Sequence, residues 1–393
     1  VSRLSIKRQL RIKLRDARAA FLWGPRKVGK STLLRQQFPA AMLLDLLDSD
    51  LRTRLTIRPA LLRERVLLER PRMVVLDEVQ KVPALLDEVH WLIENTKTRF
   101  VLCGSSARKL RHGAANLLGG RAIRFELHPL TTAELQVPDQ AGDALPFLRR
   151  LLDRGGIPSH YLAKDPDRLL RGYALDYLAQ EIQAEALTRN VPAFARFLDA
   201  VALTHGQLIN YANIARDCGV SGKTVREYFQ ILDDTLLGHR LPPWRRTRNR
   251  RLIETEKYCL FDVGVVRALS GMHERQPGSD EFGRSFEHLM IEQVRACLAY
   301  RESDMPLSYW RTSTGLEVDL IVGDLVLAIE FKARKGVDRR DARGLRALMA
   351  DQRVRKAAIV SLDTEPRVLD GGIEVWPWQL FCSRLWAGDL MQS

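Results

Sequence analysis

Over residues 1 to about 128, short apolar runs alternate with stretches of helical period. That pattern predicts a parallel sheet with helices on both faces. The runs lie near 19–23, 41–45, 73–77, 99–103 and 122–127. Before them, the basic and amphipathic VSRLSIKRQLRIKLRDAR reads as a helix leading into the sheet. From 129 to 195 the pattern turns helical, in PFLRRLLDRGGIPSHYLA and LLRGYALDYLAQEIQAEA, with a turn at Gly155-Gly156-Ile157-Pro158. This predicts a small helical lid.

Residues 196–278 carry a different signal. A helix containing Ala215 is followed by Gly219, Val220 and a new helix capped by Ser221, the spacing of a helix-turn-helix. An apolar strand, a Pro242-Pro243 turn and KYCLFDVGV supply a wing, so a winged-helix domain is expected. Residues 279–393 open with an amphipathic helix over 281–300 that carries Glu287. Two alternating strands follow, joined by a tight turn at Gly323-Asp324. In GLEVDLIV, Glu317, Asp319 and Ile321 share a face; in LVLAIEFKA, Glu330 and Lys332 do.

The chemistry is concentrated in FLWGPRKVGKSTLL, residues 21–34. Gly24, Pro25, Arg26, Lys27, Val28, Gly29, Lys30, Ser31 and Thr32 form a phosphate-binding loop between a buried strand and a helix. Its glycines free backbone N–H groups for phosphate oxygens, and the helix directs its positive dipole end at the same anion. Lys30 is expected to reach the β/γ-phosphates of ATP and Ser31 to ligate Mg²⁺. In PRMVVLDEVQ, Asp77 is expected to hold the Mg²⁺ through water and Glu78 to polarise the attacking water. In RFVLCGSSARKL, Ser105 or Ser106 stands where a γ-phosphate sensor would stand. Arg121 is either a finger on transition-state charge, in cis or from a neighbouring subunit, or a surface arginine.

Two further constellations stand out. Acidic residues on one strand of the last third meet an acid–lysine pair on the next, an arrangement that binds a hard divalent cation while the lysine orients water. Otherwise it is a surface hairpin with exposed charges. In the helix-turn-helix, Lys223, Thr224 and Arg226 would enter a major groove. Arg245, Arg246, Arg248, Arg250 and Arg251 of WRRTRNRR would lie on phosphates, or simply be solvated.

Composition adds two constraints. A net charge of +14 over 393 residues favours polyanionic partners, nucleic acid first, although arginine-rich composition can produce it too. Cys103, Cys218, Cys259, Cys297 and Cys382 are widely spaced without C-x-x-C pairing, against a disulfide framework or cysteine zinc site. No apolar run approaches the about 18 residues of a membrane span, and the N-terminal stretch lacks the apolar core of a signal peptide. A soluble, cytoplasmic protein without a membrane partner is expected.

With these residues in hand, the chain resembles prokaryotic AAA-type ATPases fused to a C-terminal domain of unknown function. GPRKVGKS, VVLDEVQ, LCGSSARKL and GGRAIRFELHPLT resemble the ATPase blocks; KYCLFDVGVVRAL, GRSFEHLMIEQV and YWRTSTGLEVDLIVGDLVLAIEFKA resemble the C-terminal ones. The resemblance implies an α/β fold class throughout: a P-loop AAA-like domain (1–128), a lid (129–195), a winged helix (196–278) and a restriction-endonuclease-like domain (279–393). The PD-(D/E)XK pattern of such nucleases then maps onto Asp319, Glu330 and Lys332, with Glu287 on the preceding helix, although EVD stands where a proline would precede Asp319. The expected function is an Mg²⁺-dependent ATPase that translocates on or remodels DNA, working as a homo-oligomer and specifically a hexamer. The alternatives are a nucleotide-controlled signalling or defence switch and an ATP-gated endonuclease.

Overall fold

The computed structural model describes residues 6–105, 122–137, 141–174, 190–245, 254–271 and 276–390, apart from the side chains of 141–143. Two compact units emerge: Val1–His128 with Asp234–Leu237, and Pro129–Asp233 with Gly238–Ser393.

In the first unit, β1 (Ala19–Trp23), α1 (Lys30–Gln37), β2 (Met42–Asp45), α2 (Ser49–Ile57) and α3 (Ala60–Glu69) follow in order. After them come β3 (Met73–Asp77), α4 (Leu85–Asn95), β4 (Arg99–Gly104) and β5 (Ala122–Glu126). The five strands pair in the order β2-β3-β4-β1-β5, every pairing parallel. Parallel neighbours need crossovers, and α1 to α4 supply them. β1 is buried along its whole length, so AAFLW shows no alternation; a central parallel strand is covered on both faces. Phe21, Trp23, Leu76, Phe100 and Leu102 pack there with Val89 and Leu92 of α4.

The predicted N-terminal helix is absent over residues 6–18. Arg8, Leu10, Ile12 and Leu14 are buried while Lys7, Gln9, Arg11 and Lys13 face outward, a period of two that belongs to extended chain. Gln37 of α1 holds the segment, donating to Leu10 O at 2.7 Å and accepting from Ile12 N at 3.0 Å.

The second unit includes α5 (Ala141–Arg154), α6 (Val191–Leu203), α7 (Tyr211–Cys218), α8 (Gly222–Asp234), β6 (Gly238–Leu241), β7 (Lys257–Leu260) and α9 (Val263–Ser270). The turn after α5 serves a close approach. Asp262, which caps α9, accepts from Gly156 N at 2.7 Å, and a Cβ on Gly155 would lie 2.1 Å from its Oδ1. Phe194 and Phe197 of α6 stack edgewise on Tyr228 and Phe229 of α8. α7 ends on left-handed Gly219, and Ser221 Oγ accepts from Thr224 N at 3.1 Å, so the helix-turn-helix is present as spaced. β6 and β7 pair antiparallel.

The expected Pro242-Pro243 turn is instead a continuation of extended chain. Tyr309 N donates to Pro242 O at 3.0 Å and Trp244 N donates to Tyr309 O at 2.7 Å, which binds this segment along β8 (Leu307–Arg311). Prolines suit that position because an edge needs few N–H donors.

The chain then runs through α10 (Asp280–Tyr300), β8, β9 (Glu317–Val322), β10 (Leu327–Lys332), α11 (Arg343–Asp351), β11 (Ala357–Ser361), β12 (Arg367–Leu369), β13 (Ile373–Pro377) and α12 (Trp378–Ala387). Its six strands make a mixed sheet, β12-β13-β11-β10-β9-β8. α11 lies so close to β9 that a Cβ on Gly344 would fall 1.7 Å from Glu317 O. Gly344→Ala is therefore expected to destabilise the chain by about 2–3 kcal/mol, read by chemical denaturation. Gly283→Ala in α10, where a Cβ meets open space, should instead stabilise by about 0.5–1 kcal/mol.

Candidate nucleotide site and carboxylate–lysine cluster

The loop from Gly24 to Gly29 leaves the end of β1 and enters α1 at Lys30. Lys27 and Gly29 take positive φ, 62° and 98°, which curls the backbone around the helix N-terminus. A Cβ on Gly24 would lie 2.5 Å from Leu127 O, so only glycine fits there. Lys30 is buried, and its Nζ donates to Gly24 O at 2.7 Å and Pro25 O at 3.0 Å. Ser31 is half-buried and Thr32 exposed on the first turn of α1. Buried Arg8 clamps the loop from behind, donating to Val28 O at 2.5 Å and His128 O at 2.6 Å. No motif flags Arg8; only its place in the alternating N-terminal segment does.

Asp77 and Glu78, at the exit of β3, are both buried. Among the described residues, Asp77 Oδ1 has no hydrogen-bond partner. Next to it, burial and then the Asp77 charge push the Cys103 thiol well up, so Cys103 stays neutral. Glu78 sits at a left-handed φ of 59°, and its carboxylate accepts hydrogen bonds from two neighbours. Gln80 Nε2 donates to Glu78 Oε2 at 2.5 Å and to Ser105 Oγ at 3.1 Å, while Arg26 Nε of the loop donates to the same Ser105 Oγ at 3.3 Å. Gly104 makes room for this amide, since a Cβ there would lie 2.4 Å from Gln80 Oε1. Gln80 was not singled out by sequence, although it follows the acid pair by two residues. Ser106 and Arg121 lie outside the described residues.

These residues fit a nucleotide with its Mg²⁺. The cradle excludes any Cβ at Gly24, the buried ammonium of Lys30 donates to loop carbonyls, and among the described residues Asp77 Oδ1, a hard oxygen donor, has no hydrogen-bond partner.

In the second unit, Glu287 of α10, Glu317 and Asp319 of β9, and Glu330 and Lys332 of β10 come together as the strand alternation requires. They meet a residue sequence reasoning passed over. Lys257, the first residue of β7, is buried and places its Nζ 2.5 Å from Glu317 Oε1 and 3.4 Å from Glu287 Oε1. Lys332 Nζ lies 2.6 Å from Glu330 Oε1, Phe331 N donates to Asp319 Oδ2 at 2.8 Å, and Arg311 lies 3.2 Å from Glu317 Oε2. Burial pushes the Glu287 carboxyl up to about 7 against the opposing pull of Lys257. Burial also raises Asp319, and burial with the Asp319 charge raises Glu330 further. Lys257 moves up despite its burial because Glu287, Glu317 and Asp319 hold its proton. Among the described residues, no group of three or more His, Cys, Asp and Glu side chains is arranged to hold a metal ion.

On the helix-turn-helix, Lys223 and Arg226 are exposed at the start of α8 and Thr224 is half-buried. Arg226 stacks 4.8 Å from the Tyr211 ring centroid. Arg245 is exposed, but the neighbouring Trp244 belongs to the sheet core and donates to Asp324 Oδ1 at 3.3 Å, so it offers no aromatic face beside the arginines. Arg246, Arg248, Arg250 and Arg251 lie outside the described residues. Among the described residues, no helix is long and apolar enough to cross a membrane.

Three family descriptions match successive segments of the chain. The family described as an AAA domain matches residues 16–136. An AAA-type ATPase domain stands at the N-terminus. Behind it, two domains of unknown function match: DUF8612 over residues 146–276 and DUF4143 over 282–381. An uncharacterized protein of Mycobacterium tuberculosis is 29% identical over 361 residues, covering 90% of this chain and 78% of the relative. An uncharacterized protein of Haemophilus influenzae is 24% identical over 232 residues, covering 56% and 57%. Among solved structures, a Walker-type ATPase of Pyrococcus abyssi aligns with a TM-score of 0.42 at 16% identity, covering 65% of this chain and 91% of that one.

The Glu287 shift sets a pH dependence. A carboxyl that binds its proton more tightly folded than unfolded contributes stability below its ordinary value near 4.5, lost as pH rises to about 7. Denaturation midpoints measured across that window should show this loss in the unsubstituted chain, and Glu287→Gln should flatten it.

Proposed function

We propose that the first unit binds and hydrolyses ATP as a nucleotide-controlled switch, whose state governs what the second unit binds. The observation that carries this reading is the hydrogen-bonded chain from Arg26 through Ser105 and Gln80 to Glu78. It ties the Glu78 carboxylate, the proposed water activator, to the phosphate-binding loop through hydrogen bonds that must change for Glu78 to be released. In this reading Lys30 exchanges its loop carbonyls for β/γ-phosphate oxygens. Ser31 and Asp77 hold Mg²⁺, which supplies charge neutralisation for the phosphates when bound. Arg26 and Ser105 sense the γ-phosphate, and their movement lets Gln80 release Glu78 to orient water. A carboxylate that must first be released favours slow turnover suited to a switch.

The domain division at 128, 195 and 278, the homo-oligomer and Arg121 as a finger across it belong to the same proposal. A second reading, the DNA motor, is favoured by one observation: exposed Lys223 and Arg226 at the start of α8, the helix a winged-helix domain lays in a major groove. In the switch these residues serve DNA binding as the gated output.

Steady-state hydrolysis with Mg²⁺, alone and with single-stranded, duplex and four-way-junction DNA, separates the two. Slow turnover unchanged by DNA supports the switch; strong stimulation by one DNA form contradicts it and makes the protein a motor. Lys30→Ala should abolish hydrolysis. Gln80→Ala removes one hydrogen bond to Glu78, worth about 0.5–1.5 kcal/mol, and should raise basal turnover about 3- to 10-fold. Unchanged or lower turnover in that variant would remove the restraint from the account.

A further inference from the structure

We infer that Lys257 is the built-in cation of the carboxylate cluster, occupying the place a divalent metal would take in a nuclease-like site, so that this domain works without a metal ion. A hard divalent cation needs several oxygens converging at about 2.0–2.6 Å, with their lone pairs free. Here each carboxylate already has a partner on at least one oxygen, and Glu317 on both. Glu317 faces Lys257 with one oxygen and Arg311 with the other. Glu287 faces Lys257, Asp319 accepts the Phe331 N–H, and Glu330 pairs with Lys332.

The protein's own cations already face these carboxylates. Lys257, Arg311 and Lys332 stand against Glu287, Glu317, Asp319 and Glu330. A dication entering beside the buried Lys257 ammonium would meet its repulsion in a poorly screened interior, with the half-buried Lys332 and Arg311 adding to it.

Lys257 is placed for this role by backbone as well as side chain. It starts β7, pairs with Leu241 of β6 and bridges to Leu208, while its ammonium lies 5.2 Å from the Tyr309 ring centroid on β8. Its position is therefore fixed by the two-stranded sheet, whereas the carboxylates come from α10 and the six-stranded sheet. The ion pairs lock one to the other, and the cluster becomes a structural core for a binding domain rather than a cutting centre. This inference stands independently of the nucleotide reading.

The test is Mn²⁺ binding to the nucleotide-free full chain, followed by electron paramagnetic resonance in a Ser31→Ala background that removes the hydroxyl ligand of the first unit. With Lys257 present, no saturable Mn²⁺ site tighter than about 1 mM is expected. Lys257→Met should gain one such site, and adding Asp319→Asn should abolish it. Lys257→Arg, which keeps the charge, should fold and bind no Mn²⁺. A saturable site that exists with Lys257 in place and disappears in Asp319→Asn would overturn the inference, and this arm needs no Lys257 variant to fold. A folded Lys257→Met chain that gains no site would overturn it as well, as would Mg²⁺-dependent DNA cuts lost in Asp319→Ala.

Discussion

A carboxylate withdrawn from water must be given a proton donor or a cation, because leaving it bare costs several kcal/mol. Both charged sites are arranged around that requirement, with different partners. In the first unit the partners of Glu78 are neutral, the Gln80 amide and the Ser105 hydroxyl, which a moving group can displace cheaply. In the second unit the partners of Glu287 and Glu317 include a buried ammonium, Lys257, which nothing can remove without stranding its acids. A displaceable partner suits a site that must change state. A fixed one suits a site that must hold its shape.

The P-loop shows how the same economy of polar partners reaches into the fold. The parallel sheet delivers Trp23, Asp77 and Gly104 to one edge, because all five strands run the same way and end together. From there, Arg8 satisfies two carbonyls behind the loop, and Lys30 satisfies two within it. Among the described residues, Asp77 Oδ1 is left without a partner.

Much of this was legible in the sequence. AAFLW and MVVLD are unbroken apolar runs, as strands covered on both faces must be, and their ends carry the loop and the acid pair. The period-two strands near Glu317 and Glu330 place the acidic residues and Lys332 together. What escaped depends on chain-distant contacts. Lys257 reaches Glu317 across 60 positions, and nothing local in EKYCLF marks its partner. Pro242-Pro243 looks like a turn locally and becomes extended only because β8 pairs with it. The alternation of Leu10, Ile12 and Leu14 was readable, but the interleaved basic residues also fit a helix face. Tertiary contact with Gln37 decided between them.

The central claim is that nucleotide state at the loop alters the second unit. Hydrogen–deuterium exchange on a Glu78→Gln chain, with and without ATP and Mg²⁺, tests it directly, since the substitution holds the triphosphate in place. The account predicts protection over residues 24–32 together with altered exchange over 211–233, the helix-turn-helix. A change confined to the loop and its own sheet, with the second unit exchanging as before, would contradict it.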